Sequence, residues 1–480
     1  MVTTPIILAG ESYKHKSLPL SAQQTINFYP QMQPNAAEKS NYILESWHGK
    51  TLFGTVSGGL DRGMFEHLGI LYKVTGTTLY SVASDGTHTS LGTISGSARC
   101  IFAGIQTNVI ICSAGTAYQW DGATLTTISD VDLESPNSVA HINNQIIYQG
   151  TGGRFGVSDV GDATSINGLN YATAESEPDN LVRVYTFNQT LYLLGEKTVE
   201  PWVNTGEGNP PFDRIEGGLL NVGCGALHSV ANDDNYIYFL DDSHSIVSLR
   251  GSATALVETI STPAMSAEIK NYSTVSDAIG WCLKIDGQSF YVITFPTANK
   301  TWISVRPRTV KGVTIGGDWF ELSSGVSGRD ISNSYAYCFR KHLVADYSNG
   351  NIYELSDSVY TENGDPIIRI RDTAPIHGGL IKGAIGKSIE MNRFELILET
   401  GVGVLSGQGF NPEIMLSFSD DGGKTFCAEM FGTIGRLGEF QYKVEWFALG
   451  SFYSRIIRIR TSDPVYYSIH SASADIDVGI

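Results

Sequence analysis

Ser419-Asp-Asp-Gly-Gly-Lys-Thr-Phe426 fits the Asp-box pattern, Ser-x-Asp-x-Gly-x-Thr-aromatic. The chemistry that pattern supports is that of a hairpin turn. The Asp421 carboxylate can accept backbone N–H groups beside the Ser419 hydroxyl, Gly423 can take positive φ, and Phe426 can anchor the turn from beneath. Gly383-Ala-Ile-Gly-Lys-Ser388 has a phosphate-loop flavour, but Ile381 stands where the first glycine is required and no strand or helix frames it. The ten histidines are scattered without metal-ligand spacing, which argues against zinc. Asp233-Asp234 and Asp241-Asp242 could ligate calcium, yet they lack EF-hand spacing and suit turns better. There is no nucleophile elbow, and the isolated carboxylates cannot be paired as glycosidase acids. The residues therefore ask for no cofactor and no metal, and no catalytic group stands out.

The elements that carry these residues are strands. Asn235 to Gly251 reads as a hairpin: an apolar run, the turn Asp241-Asp-Ser-His-Ser245, and a second apolar run. In the first run Tyr236, Tyr238 and Leu240 share one face and Ile237 and Phe239 the other, so neither face is polar and both require packing. Similar pairs recur at Gly69–Val74 with Leu79–Val82, Asn108–Cys112 with Ala117–Trp120, and Gln145–Tyr148 with Phe155–Ser158. They continue at Thr190–Leu194 with Val199–Trp202, Phe290–Ile293 with Trp302–Val305, and Leu343–Asp346 with Asn351–Leu355. The first apolar residues of the seven hairpins, at 70, 109, 146, 191, 237, 290 and 343, stand 37 to 53 residues apart, a spacing that predicts a β-propeller of six or seven blades over 61–365. One or two helical turns are expected between Thr262 and Asn271, and little else has a helical period.

Residues 1–60 read as an extended arm laid over the body or a neighbouring subunit, with Asn27-Phe-Tyr-Pro30 its one distinctive string. After about residue 365 the strands become longer and more charged, which predicts an antiparallel β-sandwich over 366–480. There Arg369 with Arg371, and Arg458 with Arg460, each place two guanidinium groups on one strand face. Such a face is either solvated or a docking face for an acidic neighbouring subunit.

The chain of 480 residues is rich in Gly (52), Tyr (23) and Phe (20), a composition of strands and tight turns. Its net charge of −17 excludes the basic stripe of a duplex-binding protein, although an acidic wall suits a conduit through which DNA slides. The six cysteines lie mostly in apolar runs without close pairs, as buried free thiols do. No signal peptide or run of transmembrane length is evident, so the chain is expected to be soluble and made in a reducing cytoplasm.

Several strings together resemble the packaged-DNA stabilisation proteins, or tail hub proteins, of short-tailed bacteriophages. They are Ala174-Glu-Ser-Glu-Pro-Asp179, Leu191-Tyr-Leu-Leu194 with Thr198-Val-Glu200, and the N-terminal Asn27-Phe-Tyr-Pro30. Near the C-terminus they are Leu416-Ser417 with Asp421-Gly422, Val444-Glu-Trp446 and Arg455 to Val465. The region 255–365 offers little to match. The resemblance implies a virion protein without an active site. Six copies would form a nozzle beneath the portal and its adaptor ring, closed by a needle or plug and flanked by fibres or spikes. Genome DNA would be held after packaging and released through the tube. Two other readings stay open: a sialidase-like glycan-degrading propeller, suggested by the Asp-box, and a glycan-binding propeller with exposed Trp120 or Trp202.

Overall fold

A computed structural model describes residues 2–32, 42–174, 179–251, 256–310, 313–380 and 384–479. Of the strings above, Glu175–Pro178 and Gly383 lie outside the described residues. Among the described residues the structure is all-β but for one short α-helix, Pro263–Ile269, and a 3₁₀ turn. Thr262 caps the helix by accepting from the Met265 amide, and Met265 and Ile269 are its buried residues.

The hairpin at 235–251 forms strands Tyr236–Leu240 and Ile246–Arg250, in register from Tyr236↔Arg250 to Leu240↔Ile246. Ile237 and Phe239 enter an apolar cluster with Tyr192 and Leu194 of the sheet before it, while Tyr238 and Leu240 pack with Tyr291 and Ile293 of the sheet after it. A strand apolar on both faces is thus stacked between two sheets, as its alternation requires. Each of the other hairpins forms the middle of an equivalent antiparallel sheet. Five such four-stranded sheets stand alone, beginning at Asp61–His67, Ile101–Ile105, Val139–Ile142, Leu181–Phe187 and Ala231–Asn232. Two further four-stranded units, beginning at Ile279–Ile285 and Ser332–Cys338, are continuous with larger sheets. Their first strands meet around a common axis, and the last meets the first: Ser334 Oγ donates to Asp61 Oδ2 at 2.8 Å and Asn333 Nδ2 to the Asp61 carbonyl at 3.2 Å. The ring is a β-propeller, as the hairpin spacing predicts.

The sheet that closes the ring takes its outermost strand from the opposite end of the chain. Gly49–Thr55 pairs antiparallel with Asn351–Ser356. The joint is fastened by Lys50, whose buried ammonium lies 2.6 Å from Asp330 and 2.8 Å from Glu362. Burial alone would depress the Lys50 pKa, but these two carboxylates outweigh it and raise it.

The sandwich has one sheet ordered Phe28–Met32, Tyr42–Ser46, Ser468–Val478, Ile389–Leu398, Val444–Phe447, with Val2–Ile6 beside Ser468–Val478. Ala22–Ile26, Arg369–Asp372, Ser454–Thr461, Glu413–Ser419 and Met430–Thr433 run in order in the other. Phe28, Leu44, Phe394, Leu416, Trp446 and Ile459 are among the residues filling the core. Ala22–Ile26 also touches the propeller, where Ile26 bridges in parallel to Glu321.

The described part of the N-terminal stretch lies against its own chain. Its backbone groups find partners in both domains of its own chain, because sheet edges on either side leave N–H and C=O groups to satisfy.

Candidate functional site

The predicted turn is built as its chemistry dictates. Asp421 accepts from the Lys424 and Thr425 amides at 2.9 and 3.0 Å, from Thr425 Oγ1 at 2.6 Å and from Ser419 Oγ at 2.7 Å. Ser419 Oγ in turn accepts from the Gly423 amide at 2.8 Å, and Gly423 sits at φ +87°. These bonds, led by the one from the Thr425 hydroxyl, hold the Asp421 pKa far below the ordinary carboxylate range. Phe426 lies half-buried under the Arg458 guanidinium, 3.7 Å from its ring centre.

The pair Arg369 and Arg371 does not form a free docking face. Arg369 and Arg371 are completely buried. Arg371 donates to the carbonyls of Leu8 and Glu11 at 2.5 and 3.0 Å, to Thr25 Oγ1 at 2.9 Å and to Gln23 Oε1 at 2.7 Å, so it knits the N-terminal stretch onto the sandwich. Burial lowers the Arg371 pKa to about 10. Arg369 donates to the Ile367 carbonyl at 3.2 Å. Arg458 grips Asp372 in a two-pronged pair at 2.7 Å, and Arg460 meets Glu429 at 2.9 Å. Arg369 and Arg371 are thus closed off from solvent, whereas Arg458 and Arg460 stay partly exposed beside their carboxylates.

The other candidates fall into structural roles. Asp233 accepts from the Asn235 and Tyr236 amides, and Asp241 from the Ser245 amide, which is turn duty. Among the described residues no group of three or more His, Cys, Asp or Glu could hold a metal ion, and no helix is long and apolar enough to cross a membrane. Cys100, Cys112, Cys224 and Cys338 are buried free thiols, Cys282 is half-buried, and Cys427 is exposed beside the Asp-box. Trp120 and Trp202 are buried, at 8% and 9% exposure, so neither offers a stacking face to a sugar.

Asn27-Phe-Tyr-Pro30 is the joint between the domains. Asn27, at φ +55°, donates from Nδ2 to the carbonyls of Ser323 and Ile368, both at 2.8 Å. Its neighbours then point opposite ways along a strand: Phe28 enters the sandwich core, while Tyr29 packs edge-on against Trp47 and Phe290 of the propeller side. Glu11 lies in this region, accepting from the Trp319 amide at 3.3 Å, and burial pushes its pKa up to about 7.

Two features are marked by no sequence motif. The first is an apolar loop end of the sandwich. Leu405, Phe410, Leu437, Phe440 and Tyr442 are 82, 41, 55, 74 and 42% exposed. Their loops are laced together by Gly438 N–H to the Gly401 carbonyl at 3.1 Å and Thr400 Oγ1 to the Phe440 carbonyl at 2.9 Å. Large apolar side chains gathered at one exposed end mark an interaction surface rather than a solvated loop.

The second feature is a cavity of about 430 Å³ where the inner strands converge on the propeller axis. Phe65 and Phe102 stack at 5.7 Å in its wall, as do Trp281 and Tyr335 at 5.1 Å. A second cavity of about 550 Å³ continues along the axis toward Arg62, Arg329 and Tyr347. Arg99, His228, Ile279 and Asn333 line both and form the waist between them.

Comparison with known families gives two matches, one for each domain. "Bacteriophage P22 Gp10, beta-propeller" matches residues 2–360, and "Bacteriophage P22 Gp10, beta-sandwich" matches residues 383–477. A search of curated proteins finds no match. Among solved structures, the Neurospora crassa Pan2 WD40 domain aligns at 9% identity with a TM-score of 0.42, covering 64% of this chain and 95% of that one. BamB from Moraxella catarrhalis aligns at 9% identity with a TM-score of 0.39, covering 74% and 98%. Both scores are too low to bear on function.

Proposed function

The chain belongs to the bacteriophage P22 Gp10 family of phage structural proteins, and from that premise we propose that it is the hexameric hub, or nozzle, of a short-tailed phage tail. Six copies extend the channel of the portal and its adaptor, retain the packaged genome, and conduct it at ejection. A needle or plug closes the far end, fibres or spikes attach around it, and DNA passes without sequence-specific contact. The observation that best supports association into a ring is the apolar loop end of the sandwich, with Phe440 74% and Leu405 82% exposed. A monomer gains nothing by wetting such groups, whereas burying them between copies is favourable by about 25 cal/mol per Å². The net charge of −17 supports an acidic lumen that repels phosphates and lets DNA slide.

Electron microscopy of the full chain mixed with a portal and adaptor complex tests this reading. A six-fold tube projecting from the adaptor is the expected result, and a monomer that never joins the complex would overturn it. The glycan readings lose their sequence support, since Trp120 and Trp202 are buried and the Asp-box carboxylate is consumed in its own turn.

A further inference from the structure

We propose that the cavity on the propeller axis is a binding site for a small oxyanion, a phosphate or carboxylate group held by Arg99 and Arg183. Buried donors outnumber their acceptors there. Arg99 Nε and Nη1, Arg183 Nε and Trp281 Nε1 are buried and find no acceptor within the chain. All three residues line the same cavity. The remaining nitrogens do little to relieve this: Arg99 Nη2 donates to the Asn333 carbonyl at 3.1 Å and Arg183 Nη1 to the Leu227 carbonyl at 2.8 Å. Buried donors without acceptors are costly, and the cost is greater when the group is charged.

Charge points the same way. Among the described residues no carboxylate lines this cavity. Asp61 lies near Arg99, but its oxygens are taken by Lys73 at 2.6 Å, Asn333 at 3.0 Å and Ser334 at 2.8 Å. Arg99 and Arg183 thus share a lining without a carboxylate, while Asp61 and Asp277 line the neighbouring cavity along the axis. His228 registers that lining: burial first, then the charges of Arg99 and Arg183, press its pKa well below the ordinary imidazole value. A ligand that only accepts hydrogen bonds and carries negative charge answers both deficits. The forked guanidinium suits the paired oxygens of a carboxylate or phosphate. The stacked aromatic walls leave room for a flat apolar body behind the charged head.

The test is a titration of the full chain with inorganic phosphate against chloride at constant ionic strength, followed by calorimetry and thermal melting. A saturable, phosphate-specific rise in Tm is expected. Arg99→Gln and Arg183→Gln are each expected to weaken binding roughly ten-fold, the loss of one charge-assisted hydrogen bond. Trp281→Phe keeps the stacked ring and removes one donor, so it guards against a variant that merely misfolds and is expected to weaken binding less. The His228 imidazole, followed by NMR, is expected to titrate at higher pH with phosphate bound. A parallel acetate series separates the two head groups: a response to acetate assigns the site to oxyanions generally, and its absence narrows the site to phosphate. Equal Tm changes in phosphate and chloride, or an unchanged phosphate response in both arginine variants, would overturn the proposal and leave the cavity to water. Neither outcome depends on whether the chain forms a ring.

Discussion

The propeller and the sandwich treat their aromatic residues in opposite ways. Among the described residues, the large aromatics that are exposed are Tyr337 in the propeller, and Phe410, Phe431, Phe440, Tyr442, Phe447 and Tyr453 in the sandwich. The propeller spends its rings between sheets, as Tyr238 on Tyr291 and Phe155 on Trp202 illustrate. It also keeps charge inside, in Lys73–Asp61 and Lys50–Asp330, where all four side chains are at most 5% exposed. The sandwich keeps its ion pairs half-buried and offers aromatic groups outward. The division is one of aromatic placement: the propeller packs its rings between its own sheets, and the sandwich has aromatic surface left for a partner to cover.

Removing one partner of a buried charge cluster should break the contrast from the propeller side. Lys50→Ala strands Asp330 and Glu362 and is expected to lower propeller stability by about 3–5 kcal/mol. Two-transition calorimetry should show the propeller peak falling while the sandwich peak stays. Phe28→Ala is the converse experiment. It opens a cavity in the sandwich core at a cost of about 3–5 kcal/mol and should lower the sandwich peak, whereas Tyr29→Ala, one residue on, should act on the propeller. If both peaks fell together in every variant, the joint would be too tight for the domains to unfold separately, and the contrast would be one of surface alone.

Acid should separate the domains more gently. For Asp61 and Asp330 burial opposes ionisation, but Lys73 and Lys50 outweigh it and depress both pKa values. A depressed carboxylate stabilises the fold above its unfolded value near 3.8, and that stability is lost as pH falls through the folded value. The propeller is therefore expected to lose stability below about pH 4. In the sandwich, Asp421 is depressed but exposed and Asp475 and Asp477 are depressed but only half-buried, and acid should affect it less. The joint has the opposite sign. Glu11, raised to about 7 by burial, favours the folded state below its unfolded value of 4.5 and loses that advantage as pH rises through 7. Coupling between the domains should be stronger at pH 5 than at pH 8, and Glu11→Gln should flatten the difference. The smallest effect on stability is expected from Phe440→Ser with Leu437→Ser, within about 0.5 kcal/mol as at other exposed sites. The same pair should nonetheless lower the fraction of chain assembled with the adaptor, read by sedimentation.

The propeller was legible because its middle strands are apolar on both faces; Ile237-Tyr-Phe239 could not be read otherwise. Its outer strands were not. Gly49–Thr55 carries Gly, Lys and Thr, and its place in the last sheet depends on a partner some 300 residues away, at Asn351–Ser356. The last strand, Ser468–Val478, has no clear strand signal in the sequence because small Ser and Ala residues dilute its alternation, though Ile469, Ala472, Ala474 and Ile476 all face the core. Arg369 and Arg371 misled for a related reason. Alternating Ile and Arg looks half-solvated until carbonyls from Leu8 and Glu11 arrive to satisfy the guanidinium. Arg99 and Arg183 carried no local signal, since each is unremarkable beside its own neighbours and only closure of the ring brings them together.

That closure sets a timetable for synthesis. Gly49–Thr55 leaves the ribosome long before its partner strand, and at about 5–20 residues per second the interval is on the order of tens of seconds. Val2–Ile6 waits longer still, because it pairs with Ser468–Val478. Throughout that time the nascent chain carries early strands with unpaired edges, the kind of template on which other chains aggregate. Gly, Lys and Thr in the waiting strand, and the polar Thr3 and Thr4 in the first, keep those edges poorly attractive until the end of the chain arrives. The strands made first are the ones placed last.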